Sequence, residues 1–122
     1  MKKIKDLSVL ILDDEPLIAL DIQDMLTELG CTDAPVFFSL RPTLESVQVK
    51  TYDLAILDVN LSPTETSIGL GRSLTDRGIP VIFASGGYSR APINVEGFTA
   101  FLEKPFSTPD ILAALISLDF HQ

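Results

Sequence analysis

Val9-Leu10-Ile11-Leu12-Asp13-Asp14-Glu15-Pro16 is the stretch from which the fold can be read. Its four aliphatic residues end an apolar run from Leu7 to Leu12 that does not alternate with polar residues. That is the pattern of a strand in a parallel sheet covered by helices on both faces. Three carboxylates follow at once, then a proline placed to open a helix. From Pro16 to Leu29, the side chains of Ile18, Ile22, Met25, Leu26 and Leu29 recur at three- and four-residue spacings, and Gly30 stands at the end. The unit is a buried strand, an acidic turn and a covering helix.

Strands and helical patterns alternate along the rest of the chain, with no internal sequence repeat. Asp53 to Leu57, Pro80 to Ala84 and Phe98 to Leu102 read as further buried strands, and Ala34 to Phe38 as a less regular fifth. Thr43 to Val49 and Ser67 to Arg77 read as helices, although Gly69 and Gly71 each cost the second about 1 kcal/mol relative to alanine. In the last helix Ser107 and Thr108 supply caps, Pro109 opens the first turn, and Ile111, Leu112, Leu115 and Ile116 form the apolar stripe. Between Gly86 and Gly97, the pair Gly86-Gly87 and Pro92 leave room only for a loop or a short, distorted helix. Strands alternating with helices predict a three-layer α/β sandwich. Right-handed crossovers then bring the C-terminal end of every strand to one edge.

Composition removes several function classes. A chain of 122 residues, 46% apolar, holds one domain's core and not two. No apolar stretch approaches the roughly 20 residues that cross a bilayer, and the charged start Met1-Lys2-Lys3-Ile4-Lys5 leads into too short an apolar segment for a secretory signal. A cytoplasmic location is expected. One cysteine, Cys31, excludes an internal disulfide and a multi-thiolate metal site; the single histidine, His121, stands beside the C-terminus. Cys31, at the start of the second strand, is expected as a small core or surface residue and His121 in a frayed end. With 17 acidic against 9 basic residues the net charge is -8, which argues against nucleic-acid binding and suits a cation site or a basic partner.

Chemistry concentrates directly after the strands: Asp13-Asp14-Glu15, Asp58-Val59-Asn60, Ser85-Gly86-Gly87 and Glu103-Lys104-Pro105. Each has a plain structural reading. The first acids favour a helix N-terminus, Asp58 and Ser85 suit turns, and Lys104-Pro105 can simply end a strand. Their convergence on the edge where α/β sheets bind ligands says more. Three aspartates around one crevice repel one another unless one is protonated or a cation sits between them. An all-oxygen donor set suits magnesium. A carboxylate beside magnesium can act as a nucleophile toward phosphorus, with the metal and a lysine neutralising the transferring oxygens, and Asp58, Lys104 and Ser85 fit those roles.

Taken together these residues resemble the receiver domains of two-component response regulators, over the span from about Leu7 to Leu118. The resemblance implies a flavodoxin-like, doubly wound five-stranded parallel sheet of order 2-1-3-4-5, with a short or irregular fourth helix. It implies that Asp13 and Asp14 hold magnesium together with Asp58 and the backbone carbonyl of Asn60, manganese or calcium substituting, and that Asp58 accepts the phosphoryl group. Ser85 would then meet a phosphoryl oxygen, Lys104 would be the family's lysine, Pro105 would follow a cis peptide bond, and Phe101 would be the aromatic that turns as Ser85 moves. The stretch Phe83-Ala84-Ser85-Gly86-Gly87-Tyr88 is similar to a subgroup with a Phe-Ala-Thr-Gly-Tyr motif, with serine for threonine and an added glycine. Members of that subgroup often lack an attached output domain.

The function implied is transfer of a phosphoryl group from a histidine kinase or phosphotransfer protein to Asp58, switching a surface read by a downstream protein. No enzymatic activity is implied beyond the chain's own phosphorylation and dephosphorylation, and neither membrane nor nucleic acid is a partner. A monomer that can dimerise on activation is expected, as is a chain that is one receiver over residues 1–122. With Gly87 offering no side chain to position water, self-dephosphorylation is expected to be slow to moderate. Two rival readings remain: a vestigial receiver acting as a phosphorylation-independent binding module, and a small magnesium-dependent phosphohydrolase of haloacid dehalogenase type. The second needs an aspartate two residues after the nucleophile, where this chain has Asn60.

Overall fold

The computed structural model describes residues 2–86, 97 and 99–122. After a single 3-10 turn at Ile4–Asp6 come β1 (Val9–Leu12), α1 (Pro16–Glu28), β2 (Val36–Phe37), α2 (Leu40–Val49), β3 (Leu54–Asp58), α3 (Ile68–Asp76), β4 (Val81–Gly86), β5 (Thr99–Lys104) and α4 (Thr108–Ser117). The strands form one sheet in the order β2-β1-β3-β4-β5, every pair parallel. This is the flavodoxin-like arrangement. The loop or distorted helix expected over 86–97 falls almost entirely outside the described residues, as do Gly87 and Tyr88.

Alternation along the strands divides the core in two. Ile11, Ile56 and Ile82 face α1 and α4, meeting Ile22, Leu26, Ile111 and Leu115. Leu12, Leu57 and Phe83 face the opposite way, toward Leu70 and Leu74 of α3. β1 and β3 are buried at every position, as their unbroken apolar runs require, whereas the edge strand β5 is only partly covered. Each fully buried aliphatic side chain contributes roughly 1.5–3 kcal/mol relative to an exposed one.

Four expectations need adjustment. β2 is two residues long rather than five: Pro35 has no N–H to donate, so regular pairing begins after it, though its carbonyl accepts from Ile11 N at 3.1 Å. α2 starts at Leu40 rather than Thr43, because Pro42 falls in the first turn, where backbone N–H groups have no intrahelical partner. Cys31 lies in the loop before β2, wholly buried, its Sγ 3.5 Å from the Leu7 carbonyl. His121 is not in a frayed end: its carbonyl accepts from Ile4 N at 2.8 Å, tying the C-terminal residues to the first turn.

Candidate functional site

Parallel strands leave their C-terminal ends on one edge, and the register there fixes which side chains become neighbours. Asp58 pairs with Ala84, Ser85 with Glu103, and Gly86 with Lys104, while Asp13 directly follows β1. Asp13 is fully buried; its Oδ1 accepts the Glu15 N–H at 2.9 Å and its Oδ2 accepts from Lys104 Nζ at 2.7 Å. The same ammonium lies 3.1 Å from Oδ1 of Asp58, which is 6% exposed. Lys104 thus bridges two buried carboxylates. Asp14 is exposed, yet one carboxylate oxygen from each of Asp13, Asp14 and Asp58 lies within 4.8 Å of the others.

Among the described residues, three acids face one ammonium, so negative charge is in excess there. The Asp58 carboxyl is pushed up to about 7 by burial first, then by its hydrogen bond with Asp14 and the charge on Asp13, against the opposing pull of Lys104. Burial works to lower Lys104, but the carboxylates of Asp13 and Asp58 outweigh it and hold the ammonium above its ordinary value. Lys104 therefore stays charged. An acidic pocket in which burial and like charge push a carboxyl up to about 7, and whose converging donors are all oxygen, suits a hard divalent cation.

The other expected site residues fall around this centre. Ser85 is half-buried near the end of β4. Asn60 is exposed two residues past Asp58, where its backbone bridges to Thr66 across the β3–α3 loop. The Lys104-Pro105 peptide is cis. Phe101 is 54% exposed, its ring stacked on that of Phe83. One feature escaped the reading of the sequence: a groove of about 380 Å³ beside the site, between Ile18, Ile22 and Met25 of α1 and Lys104, Pro105 and Phe106. These α1 residues carry the periodicity of a core face, and periodicity does not show that part of that face lines a groove.

The comparisons agree with this geometry. Residues 9–116 match the family described as response regulator receiver domain. The transcriptional regulatory protein PdtaR of Mycobacterium tuberculosis is 30% identical over 112 residues, covering 88% of this chain and 54% of its own length. LytR of Staphylococcus aureus, also a transcriptional regulatory protein, is 32% identical over 116 residues, covering 89% and 46%. The chain thus spans about half the length of the curated relatives it matches. Among solved structures, SdrG from Sphingomonas melonis Fr1 superposes with a TM-score of 0.80 at 34% identity, covering 93% of this chain and 97% of that one. A response regulator receiver protein from Sinorhizobium medicae WSM419 shares the fold with a TM-score of 0.76 at 21% identity, covering 92% and 93%. With the acidic pocket at the strand ends, the five-stranded parallel sheet and a family match over most of its length, the chain belongs to the receiver domains of response regulators.

Proposed function

We propose that Asp58 accepts a phosphoryl group from the phosphohistidine of a histidine kinase or phosphotransfer protein. The observation that carries this reading is the Asp58 carboxyl itself, almost buried, bridged by Lys104 and gathered with Asp13 and Asp14 at the open end of the sheet. In the transfer, a carboxylate oxygen of Asp58 forms a bond to phosphorus as the donor's P–N bond breaks. The bonding pair returns to the imidazole nitrogen, which takes a proton from water. Lys104 Nζ stays paired with the charge that builds on the oxygens, and the Ser85 hydroxyl donates to one phosphoryl oxygen of the product.

Asp13, Asp14, Asp58 and the Asn60 carbonyl would hold magnesium, or manganese or calcium in its place, and the ion supplies charge neutralisation during transfer. As Ser85 moves to the new oxygens, Phe101 leaves its exposed position, and the altered β4–β5 face is what a downstream protein reads. The donor approaches from the strand-end edge, so the groove beside α1, flanked by Glu15 and Asp21, lies where a basic segment of it would rest. Catalysis is limited to the chain's own phosphorylation and dephosphorylation. The protein works in the cytoplasm as a monomer before phosphorylation; none of its described helices is long and apolar enough to cross a membrane.

Incubation with acetyl phosphate tests this reading. Magnesium-dependent, acid-stable and base-labile incorporation of phosphate is expected, lost with a chelator and in Asp58→Asn. Incorporation that persists in that variant, or none in the native chain with magnesium, contradicts it.

A further inference from the structure

Phe83 and Phe101 face each other in register on β4 and β5, with ring centroids 5.8 Å apart and planes inclined by only 17°. The two rings differ in freedom: Phe83 is 1% exposed and Phe101 54%. At the tip of the Phe83 ring lies Gly71 of α3, itself buried among the helix's core residues. A Cβ built there would overlap Cζ of the Phe83 ring and come within 2.7 Å of Cε1. The glycine is therefore the space that Phe83 occupies, and the helix backbone is the wall that stops the ring from sinking further.

From this geometry we infer that Phe83 is a positioning residue of the switch: seated against Gly71, it holds Phe101 outward until Ser85 moves. The inference rests on the receiver reading and concerns how that site is regulated. Ser85 follows Phe83 by two residues on the same strand, so both side chains lie on one face of the sheet. A Phe101 ring that turns toward the space left by Ser85 must slide off Phe83. The stack is thus an interaction of the resting state alone, and its loss opposes phosphorylation by linkage. A buried ring backed by helix backbone cannot follow Phe101, which makes the stack break rather than bend.

The test uses beryllofluoride with magnesium as the phosphoryl mimic. The native chain binds it if the receiver reading holds; absence of binding overturns that reading and this inference with it. Given binding, Phe83→Leu is expected to unfold more easily in urea and yet bind beryllofluoride about fivefold tighter, the worth of one aromatic stack expressed as an affinity ratio. Equal or weaker binding by Phe83→Leu overturns the inference and leaves the receiver reading standing. Should the variant not fold, the native chain decides: ring-to-ring nuclear Overhauser effects between Phe83 and Phe101 are expected at rest and lost with beryllofluoride. Their persistence overturns the inference.

Discussion

Asp58 carries an electrostatic conflict. Its carboxyl is buried beside two others with one ammonium to share, so the metal-free protein keeps a proton there up to about pH 7. The linkage has a definite sign. The folded state binds this proton more tightly than an unfolded chain whose aspartate titrates near 3.8, so stability falls as the pH rises from about 4 to about 7. An asparagine in its place would not titrate. Without metal, Asp58→Asn is therefore expected to be more stable than the native chain at pH 8, by roughly 4 kcal/mol, with the gap closing toward pH 4. Urea titrations at the two pH values measure it; a gap independent of pH contradicts the account. Lys104 opposes this cost and holds both buried acids, so Lys104→Met is expected to destabilise the metal-free chain in the same assay at neutral pH. These residues were legible in the sequence because each directly follows a strand, and parallel topology sends all such positions to one edge.

Among the elements, α3 shows what a local reading cannot reach. Both of its glycines count as helix penalties in sequence, yet they are not equivalent in the fold. Nothing lies within 4 Å of a Cβ added at Gly69, whereas one at Gly71 meets the Phe83 ring. Gly69→Ala is expected to stabilise the chain by up to about 1 kcal/mol, and Gly71→Ala to destabilise it by about 1–3 kcal/mol. Thermal unfolding of the two variants checks this, and two changes of the same sign would contradict it. The distinction depends on how α3 docks on β4, which no window of sequence encodes. α4 is the opposite case, since its start was legible from Ser107 and Pro109. Asp110 completes a capping box there, accepting from Ser107 N at 2.8 Å and Ser107 Oγ at 2.9 Å, bonds that lower its carboxyl. Asp110→Ala is expected to cost stability at neutral pH, the difference fading as the pH falls below the ordinary aspartate range in a series of unfolding curves.

At the scale of the molecule, the strands buried on both sides were the legible part, because an unbroken aliphatic run admits few other readings. β2 was not, since Pro35 curtails its pairing, and neither the groove beside α1 nor the Phe83–Phe101 stack could be seen, because both depend on how separate elements pack together. The sheet gathers negative charge at one end, where, among the described residues, Lys104 bridges two of the three acids. A ligand that binds only the folded state stabilises it by mass action, and magnesium is expected to raise the unfolding free energy by about 2.7 kcal/mol at a hundredfold excess over its dissociation constant. Asp58→Asn should show less of this gain, and equal gains in both chains would contradict the site. The most direct test of the central claim is to phosphorylate the native chain with acetyl phosphate and magnesium, trap the acyl phosphate with borohydride and locate the reduced residue by peptide mass spectrometry. Reduction at Asp58 alone is the result predicted; reduction at Asp13 or Asp14 instead, or at no residue, would contradict it.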